Sequence, residues 1–345
     1  MNKNETISEI KLTFMGILIL LGFIFVLGNQ ELVFNSVILG IRLVGGFLIP
    51  SLFFQITICN LLFSLGFFRK IIGTKAEILV LSFLGGFSVP SLLSEKAYSE
   101  KIISRNDAKA FGYSILCGGP ALIIGGIGQK MLGSIQIGVI LYLSTVFSQL
   151  LMFFLQKKSK INNIEIQKQE EIPETIVNSV KMSVTAIINL SGFVIFFSGI
   201  ANIISSFSSS EMFIFGIEIK DFLGYFLEST FSIHNLILNK NAYSVYLISF
   251  FITFGGLCLQ MQILSNLKTV KLNFLKLFLI KLTEGLISTI ITFVLLKLFP
   301  GAVETFGQNN SVSVVYSNIP ASIFLIAFSI YILTSPEKFS RKTFH

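Results

Sequence analysis

Residues 77–96 read EILVLSFLGGFSVPSLLSEK, a short apolar stretch interrupted by Gly85-Gly86 and Pro90 that passes directly into a polar segment. A straight transmembrane helix needs about 20 consecutive apolar residues, so this stretch is too short and too broken to cross. Non-helical backbone is tolerated at membrane depth only where protein or a cavity satisfies its polar groups. We therefore predict that residues 77–103 form a re-entrant hairpin, which enters and leaves the membrane on one side.

The remainder of the chain has the composition of a membrane protein. Of its 345 residues, 53% are hydrophobic and 13% are charged, whereas soluble domains carry about 25% charged residues. Further apolar stretches occupy residues 12–28, 36–66, 110–128, 134–155, 179–207, 244–265, 275–299 and 318–334. The net charge of +8 comes from basic residues beside these stretches, which indicates membrane topology rather than nucleic-acid binding. We expect a multi-pass protein of the cell membrane.

The distribution of basic residues predicts the orientation of the chain. We place the N-terminus in the cytoplasm and let residues 77–103 enter from the cytoplasmic side. The inside segments then carry 21 Lys and Arg residues and the outside segments carry three, Lys130, Lys220 and Lys240. Such a cytoplasmic excess is the positive-inside rule. Both termini and the linker at 156–175 are therefore predicted to be cytoplasmic.

Cysteine-accessibility labelling tests this topology in a variant that lacks the native Cys59, Cys117 and Cys258. A cysteine in place of Lys160, within the linker, should react only with reagents that reach the cytoplasm. A cysteine in place of Lys130 should react from outside and serves as the matched control. External labelling at position 160 would contradict the predicted orientation.

The chain divides into two halves with a similar order of features. We assign residues 1–35 to an N-terminal membrane helix, 36–155 to a first gate-like repeat, 156–175 to a cytoplasmic linker, 176–299 to a second, inverted gate-like repeat, and 300–345 to a C-terminal membrane helix with a basic tail. The sequence LVGGFLI from Leu43 resembles LSGFVI from Leu190. Inverted repeats are typical of secondary transporters. A chance resemblance between two apolar sequences is the alternative.

Two glycine-rich sequences, Gly118-Gly119-Pro120 and Gly255-Gly256, interrupt apolar stretches and predict broken helices. In a membrane, unwound backbone is tolerated where it lines a cavity, and half-helix ends there can face a ligand. A packing or kink role for these glycines is the alternative. The amphipathic stretch 208–243 is either an external surface helix or a second hairpin that enters from outside.

The predicted solute site combines the two breaks with the hairpin tips and nearby polar side chains. Its members are Ser88, Pro90, Ser91, Ser114, Cys117, Gly118, Gly119, Pro120, Glu228, Ser229, Thr230, Gly255, Gly256, Gln260 and Gln262. Glu228 is a candidate ligand for a coupling cation, because an acidic residue at membrane depth is a functional hypothesis. Glu284 is another such residue, although an ion pair with Lys281 would also explain it.

Four segments of the chain resemble the sporulation integral membrane proteins of the YlbJ type, within the nucleoside-recognition "gate" superfamily. They begin at Gly85 (GGFSVPSLL), Gly118 (GGPALIIGGIG), Leu227 (LEST) and Phe254 (FGGLCLQMQ). This resemblance, over residues 36–299, implies a fold related to concentrative nucleoside transporters, with two hairpins around a midplane site. Some members are implicated in moving dipicolinic acid, a small aromatic dicarboxylate. Leu92 stands where the family usually has lysine.

These observations predict an all-α polytopic membrane protein with inverted repeats, re-entrant hairpins and Gly-broken helices. We expect a carrier that moves a small polar or anionic solute, such as a carboxylate or a nucleoside, with a coupling ion. A scaffold or assembly factor that keeps the fold without transport is the alternative. The chain has no nucleotide-binding or catalytic motif, so we expect neither an enzyme nor a metal or cofactor. A homo-oligomer is left open.

Overall fold

The computed structural model describes residues 3–156, 171–207, 213–214, 217–238 and 243–300. These residues form helices, apart from their connections and a two-residue ladder that pairs Phe213-Ile214 with Ile217-Glu218. Most of the predicted linker at 156–175, and the apolar stretch predicted at 318–334, lie outside the described residues.

The α-helices, in chain order, are α1 (Lys3–Gly28), α2 (Gln30–Leu43), α3 (Ile49–Leu65), α4 (Arg69–Ile72), α5 (Thr74–Gly85), α6 (Val89–Ser99), α7 (Arg105–Ser114), α8 (Ile135–Leu155), α9 (Ile172–Phe207), α10 (Ile219–Leu227), α11 (Ser229–Leu238), α12 (Ser244–Phe254), α13 (Gly256–Asn266) and α14 (Phe274–Leu298). Two π-helical segments run Val44–Leu48 and Ala121–Met131. Ser104, Ser134 and Asn273 cap α7, α8 and α14 by accepting the N–H group three residues later.

Four helical stretches are long and apolar enough to cross a membrane: Ile135–Leu155, Ile172–Ser206, Ser244–Asn266 and Phe274–Leu298. They correspond to the apolar stretches 134–155, 179–207, 244–265 and 275–299. A fifth span results if α1 and α2, which are bent by 98° at their junction, are taken together. The described chain is therefore helical, with four or five candidate membrane-spanning helices.

The helices expose many large apolar side chains around an apolar core, which is unlike the surface of a soluble protein. Large apolar side chains such as Phe54, Phe154 and Ile290 are about two-thirds exposed. Many serine and threonine side chains are buried between the helices. Lipid is as apolar as these outer side chains, so helix association relies on packing and on interhelical hydrogen bonds. The surface is thus suited to a bilayer.

The stretch 77–103 is broken as its sequence predicts. Helix α5 has 12 residues, about 18 Å at 1.5 Å per residue, which falls short of a hydrocarbon core of about 30 Å. A turn at residues 86–88 follows, and Pro90 lies in the first turn of α6. The two helices contact each other and α3. We call α5, the turn and α6 the first hairpin.

The stretch 219–238 consists of two short helices, α10 and α11, which meet at Glu228. Helix α10 packs against α9, and α11 packs against α12. Glu228 is fully buried, whereas a single amphipathic surface helix would expose its carboxylate. We call α10, Glu228 and α11 the second hairpin.

Residues 30–65 form a long helical run that includes the π-helical turn Val44–Leu48 and packs against α9. Its contacts run in the antiparallel direction. The Asn202 amide donates to Ser36 Oγ at 2.8 Å, and the Asn60 amide donates to Ser183 Oγ at 3.2 Å. The apolar stretch predicted at 36–66 thus lies within one helical run that begins six residues earlier, at Gln30. The glycines Gly45 and Gly46 lie in its π-helical turn, shortly before Pro50.

Candidate functional site

Both predicted helix breaks are present. The first is an unwound segment at residues 115–118, followed by Gly119 with φ +74° and then by a π-helix. The second lies between α12 and α13, where Gly255 and Gly256 have φ values of +77° and +64°. These are left-handed conformations that favour glycine. The π-helical form of residues 121–131 was not predicted.

The two breaks lie against each other. A methyl group placed on Gly255 would come within 2.5 Å of Leu116 Cδ2, so the unwound segment of the first break packs directly on the second. Beside this contact, the hydroxyl groups of Thr145 on α8 and Thr253 on α12 are hydrogen-bonded at 3.0 Å. The structure therefore brings together two breaks that are more than a hundred residues apart in sequence.

Each break is closed by a hairpin tip from its own half of the chain. At the first, a methyl group on Gly119 would lie 3.2 Å from the Cα of Gly86. At the second, a methyl group on Gly256 would lie 3.0 Å from the carbonyl oxygen of Leu227 and 3.3 Å from the Cα of Glu228. Such close backbone approach is possible only because these positions lack a side chain.

Side chains of α13 bind the tip of the first hairpin across the two halves. The Gln262 amide donates to Ser88 Oγ at 2.8 Å, and the Asn266 amide donates to Ser91 Oγ at 2.9 Å. The amide oxygen of Gln262 has no hydrogen-bond partner among the described residues. Asn266 is a member of this cluster that the sequence did not reveal.

At each break, a glutamine amide forms hydrogen bonds with buried backbone groups where the helix is interrupted. Gln149 on α8 accepts the N–H group of Leu116 at 3.1 Å and donates to its carbonyl oxygen at 2.8 Å. Gln260 donates to the carbonyl of Phe254 at 3.3 Å, where α12 ends. Gln149 was also missed, although a glutamine inside the apolar stretch 134–155 is the kind of signal that marks a buried role.

The contacts above join the two hairpin tips, the two breaks and Gln262, and most of the predicted site side chains are buried. Pro120 is half-buried; buried side chains are found at Ser88, Pro90, Ser91, Ser114, Cys117, Glu228, Ser229, Thr230, Gln260 and Gln262. The Ser114 hydroxyl has no hydrogen-bond partner among the described residues. The cluster offers amide and hydroxyl groups, unwound backbone and one carboxylate, which suit hydrogen bonding to a small polar molecule.

A second polar cluster lies beside the breaks, where α8, α12 and α14 pack together. We call it the polar seam, and it consists of Ser144, Thr145, Ser148, Gln149, Ser249, Thr253, Lys281, Glu284, Ser288 and Thr292, all buried. The Ser249 hydroxyl is hydrogen-bonded to Ser288 Oγ at 2.9 Å and to Thr292 Oγ1 at 2.7 Å. The sequence indicates its two charged members, Lys281 and Glu284, but not its buried hydroxyl groups.

Among the described residues, no group of three or more His, Cys, Asp or Glu side chains is placed to hold a metal ion. Comparisons with known protein families, with curated proteins and with solved structures find no match to this chain.

Proposed function

We propose that the protein is a membrane carrier that moves a small polar or anionic solute by alternating access. The observation that supports this proposal is the meeting of two broken helices, each closed by a hairpin tip, among buried polar side chains. In hydrocarbon such backbone is costly unless the protein or a cavity satisfies it. Carriers place broken helices at their substrate site, because the half-helix ends supply directed N–H and C=O groups.

The order of helices supports an inverted repeat. The first half runs from the long helix at 30–65 through the first hairpin, the first break and α8. The second half runs from α9 through the second hairpin, the second break and α14. The two long helices pack antiparallel, which is the arrangement expected for halves related by a two-fold axis in the membrane plane.

The solute class rests on the resemblance to YlbJ-type sporulation proteins and on the chemistry of the cluster. Dipicolinate is the first candidate, since the resemblance implies it. Nucleosides are the second, because the amide and hydroxyl groups of Gln262, Asn266 and Ser88 suit uncharged hydrogen-bonding partners.

A membrane scaffold that keeps this fold without transport is the second candidate function. The observation that favours it is the closed packing of the cluster, in which Ser88 and Ser91 already bond Gln262 and Asn266. A scaffold needs these hydrogen bonds for stability alone, and a carrier would exchange them for bonds to its solute.

The thermal stability of the purified protein separates these functions. A carrier should be stabilised by its solute, by about 2.7 kcal/mol at a concentration one hundred times Kd. We expect dipicolinate or a nucleoside to raise Tm. Gln262→Leu should abolish that rise, because it removes an amide that would contact the solute.

The matched control is Gln136→Leu, which alters an exposed glutamine on α8 and should leave the rise unchanged. No rise with any mono- or dicarboxylate or nucleoside would reject the carrier and favour the scaffold.

A further inference from the structure

Lys281 and Glu284 form an ion pair inside the protein, outside the predicted solute site. The Lys281 ammonium lies 2.7 Å from Glu284 Oε2, and both side chains are fully buried. Lys281 lies about 10 Å along the axis of α14 from its first residue, Phe274. Charged groups at such a depth are rare and mark ion or proton pathways.

Only one of the two carboxylate oxygens of Glu284 is satisfied by the described residues. Oε2 accepts from Lys281, whereas Oε1 has no hydrogen-bond partner among them. One and two turns further along the same face, the hydroxyls of Ser288 and Thr292 bond Ser249. The polar seam therefore satisfies its hydroxyl groups and leaves a carboxylate oxygen that could accept a proton.

The ion pair borders the first break. Lys281 and Glu284 belong to the polar seam, which also contains Gln149. Gln149, which bonds the backbone N–H and C=O of Leu116 in the unwound segment, belongs to α8, and α8 packs against α14. A lysine side chain has four flexible methylene groups, so its ammonium can move toward the break when it leaves Glu284.

Most of the other titratable groups on the elements that pack against α14 have partners of their own. Tyr113 accepts the N–H of Asn273, Tyr142 donates to the carbonyl of Phe83, and Tyr246 lies beside Phe293. Arg105 donates to the carbonyl of Val270, and Asp107 pairs with Lys75. Cys258 is a buried thiol, and Lys109 is half-buried. On α14 itself, Lys276 lies over the ring of Tyr113 and Lys297 over that of Phe293. Among the described residues, Glu284 is thus the carboxylate that balances Lys281.

We propose that Glu284 binds the coupling proton and that Lys281 then binds a carboxylate group of the solute at the first break. This inference rests on the proposed carrier function. A proton from water adds to Glu284 Oε1 and makes the side chain neutral, and the freed ammonium pairs with the incoming carboxylate. The net charge of the buried groups is zero both before and after the proton and the carboxylate bind. A proton without the anion, or the anion without a proton, would leave one uncompensated buried charge, which is strongly unfavourable. Proton and carboxylate therefore enter together.

The test measures anion binding and proton uptake by the full-length protein in detergent. Benzoate, dipicolinate and uncharged uridine are the probes, and a pH indicator in weak buffer reports protons. Wild-type protein should take up about one proton per bound benzoate, and Kd should rise about tenfold per pH unit where free Glu284 is ionised. At a pH low enough to keep the unpaired Lys281 protonated, Glu284→Gln should bind benzoate with no proton uptake and no such slope. Glu284→Asp should restore both, and Lys281→Met should not bind benzoate.

Folding is controlled with the neutral double variant Lys281→Met/Glu284→Gln, which keeps no buried charge at these positions and should bind neither benzoate nor protons. Benzoate-linked proton uptake in the double variant, or an unchanged pH slope in Glu284→Gln, would overturn the inference. Binding of uridine alone, or carboxylate binding without proton uptake in the wild type, would reject the inference and leave the carrier function standing. No binding by any probe would reject both.

Discussion

Gly256→Ala is expected to lower the free energy of unfolding by about 2–6 kcal/mol and to disturb the junction of the second hairpin. Alanine at φ +64° costs about 1–3 kcal/mol in backbone strain. Its methyl group would also lie 3.0 Å from the Leu227 carbonyl oxygen and 3.1 Å from the Ser229 nitrogen. These are backbone atoms that cannot rotate away, so overpacking adds about 1–3 kcal/mol. Denaturant or thermal unfolding of the purified protein measures the change.

Two other glycines separate these contributions. Gly133 has φ +70°, but a methyl group there meets nothing within 4 Å, so Gly133→Ala should show the backbone strain alone. Gly125 lies in the π-helix with neither a positive φ nor a close neighbour, and Gly125→Ala should have little effect. If Gly256→Ala were no more destabilising than Gly133→Ala, the result would contradict the close contact between the second break and the Glu228 junction.

The features that the sequence predicts well are local. Apolar length identifies α8 and α14, because a transmembrane helix needs a continuous run of apolar residues. Gly85-Gly86 with Pro90 predicts the turn of the first hairpin, since glycine and proline restrict which backbone conformations can follow. The two breaks at Gly118-Gly119 and Gly255-Gly256 are predicted for the same reason.

The features that the sequence does not reveal depend on distant partners. Gln149 and Leu116 are 33 residues apart, and Asn266 and Ser91 are 175 apart; no periodicity within a helix indicates such pairs. Local sequence also leaves the second hairpin undecided, because an amphipathic pattern suits either a surface helix or a helix packed against others.

The ion pair illustrates the difference between spacing and depth. The separation of Lys281 and Glu284 by three residues predicts that they share a helix face. It does not determine whether that face meets water or the protein interior. Packing of α14 against α8 and α12 buries both side chains completely, and this burial changes a surface ion pair into a candidate for proton coupling.

Gln149→Leu is expected to lower the free energy of unfolding by about 2–6 kcal/mol. Leucine is close in size to glutamine and fills the same space, so the packing of α8 is kept. The N–H and C=O groups of Leu116 lose both bonds to the amide, and each buried polar group left without a partner costs about 1–3 kcal/mol. Within a bilayer, water cannot replace these bonds.

Two further variants test whether the effect comes from the backbone N–H and C=O groups of Leu116. Gln136→Leu makes the same change at an exposed position of the same helix and should leave stability unaffected. Gln149→Glu can accept the Leu116 N–H at any pH, but it can donate to the carbonyl only when its carboxyl is protonated. Its stability relative to Gln149→Leu should therefore increase as the pH falls. Equal stability of Gln149→Leu and Gln136→Leu would mean that other groups satisfy the unwound segment, whereas a pH-dependent gain by Gln149→Glu would identify the lost donor as the cause.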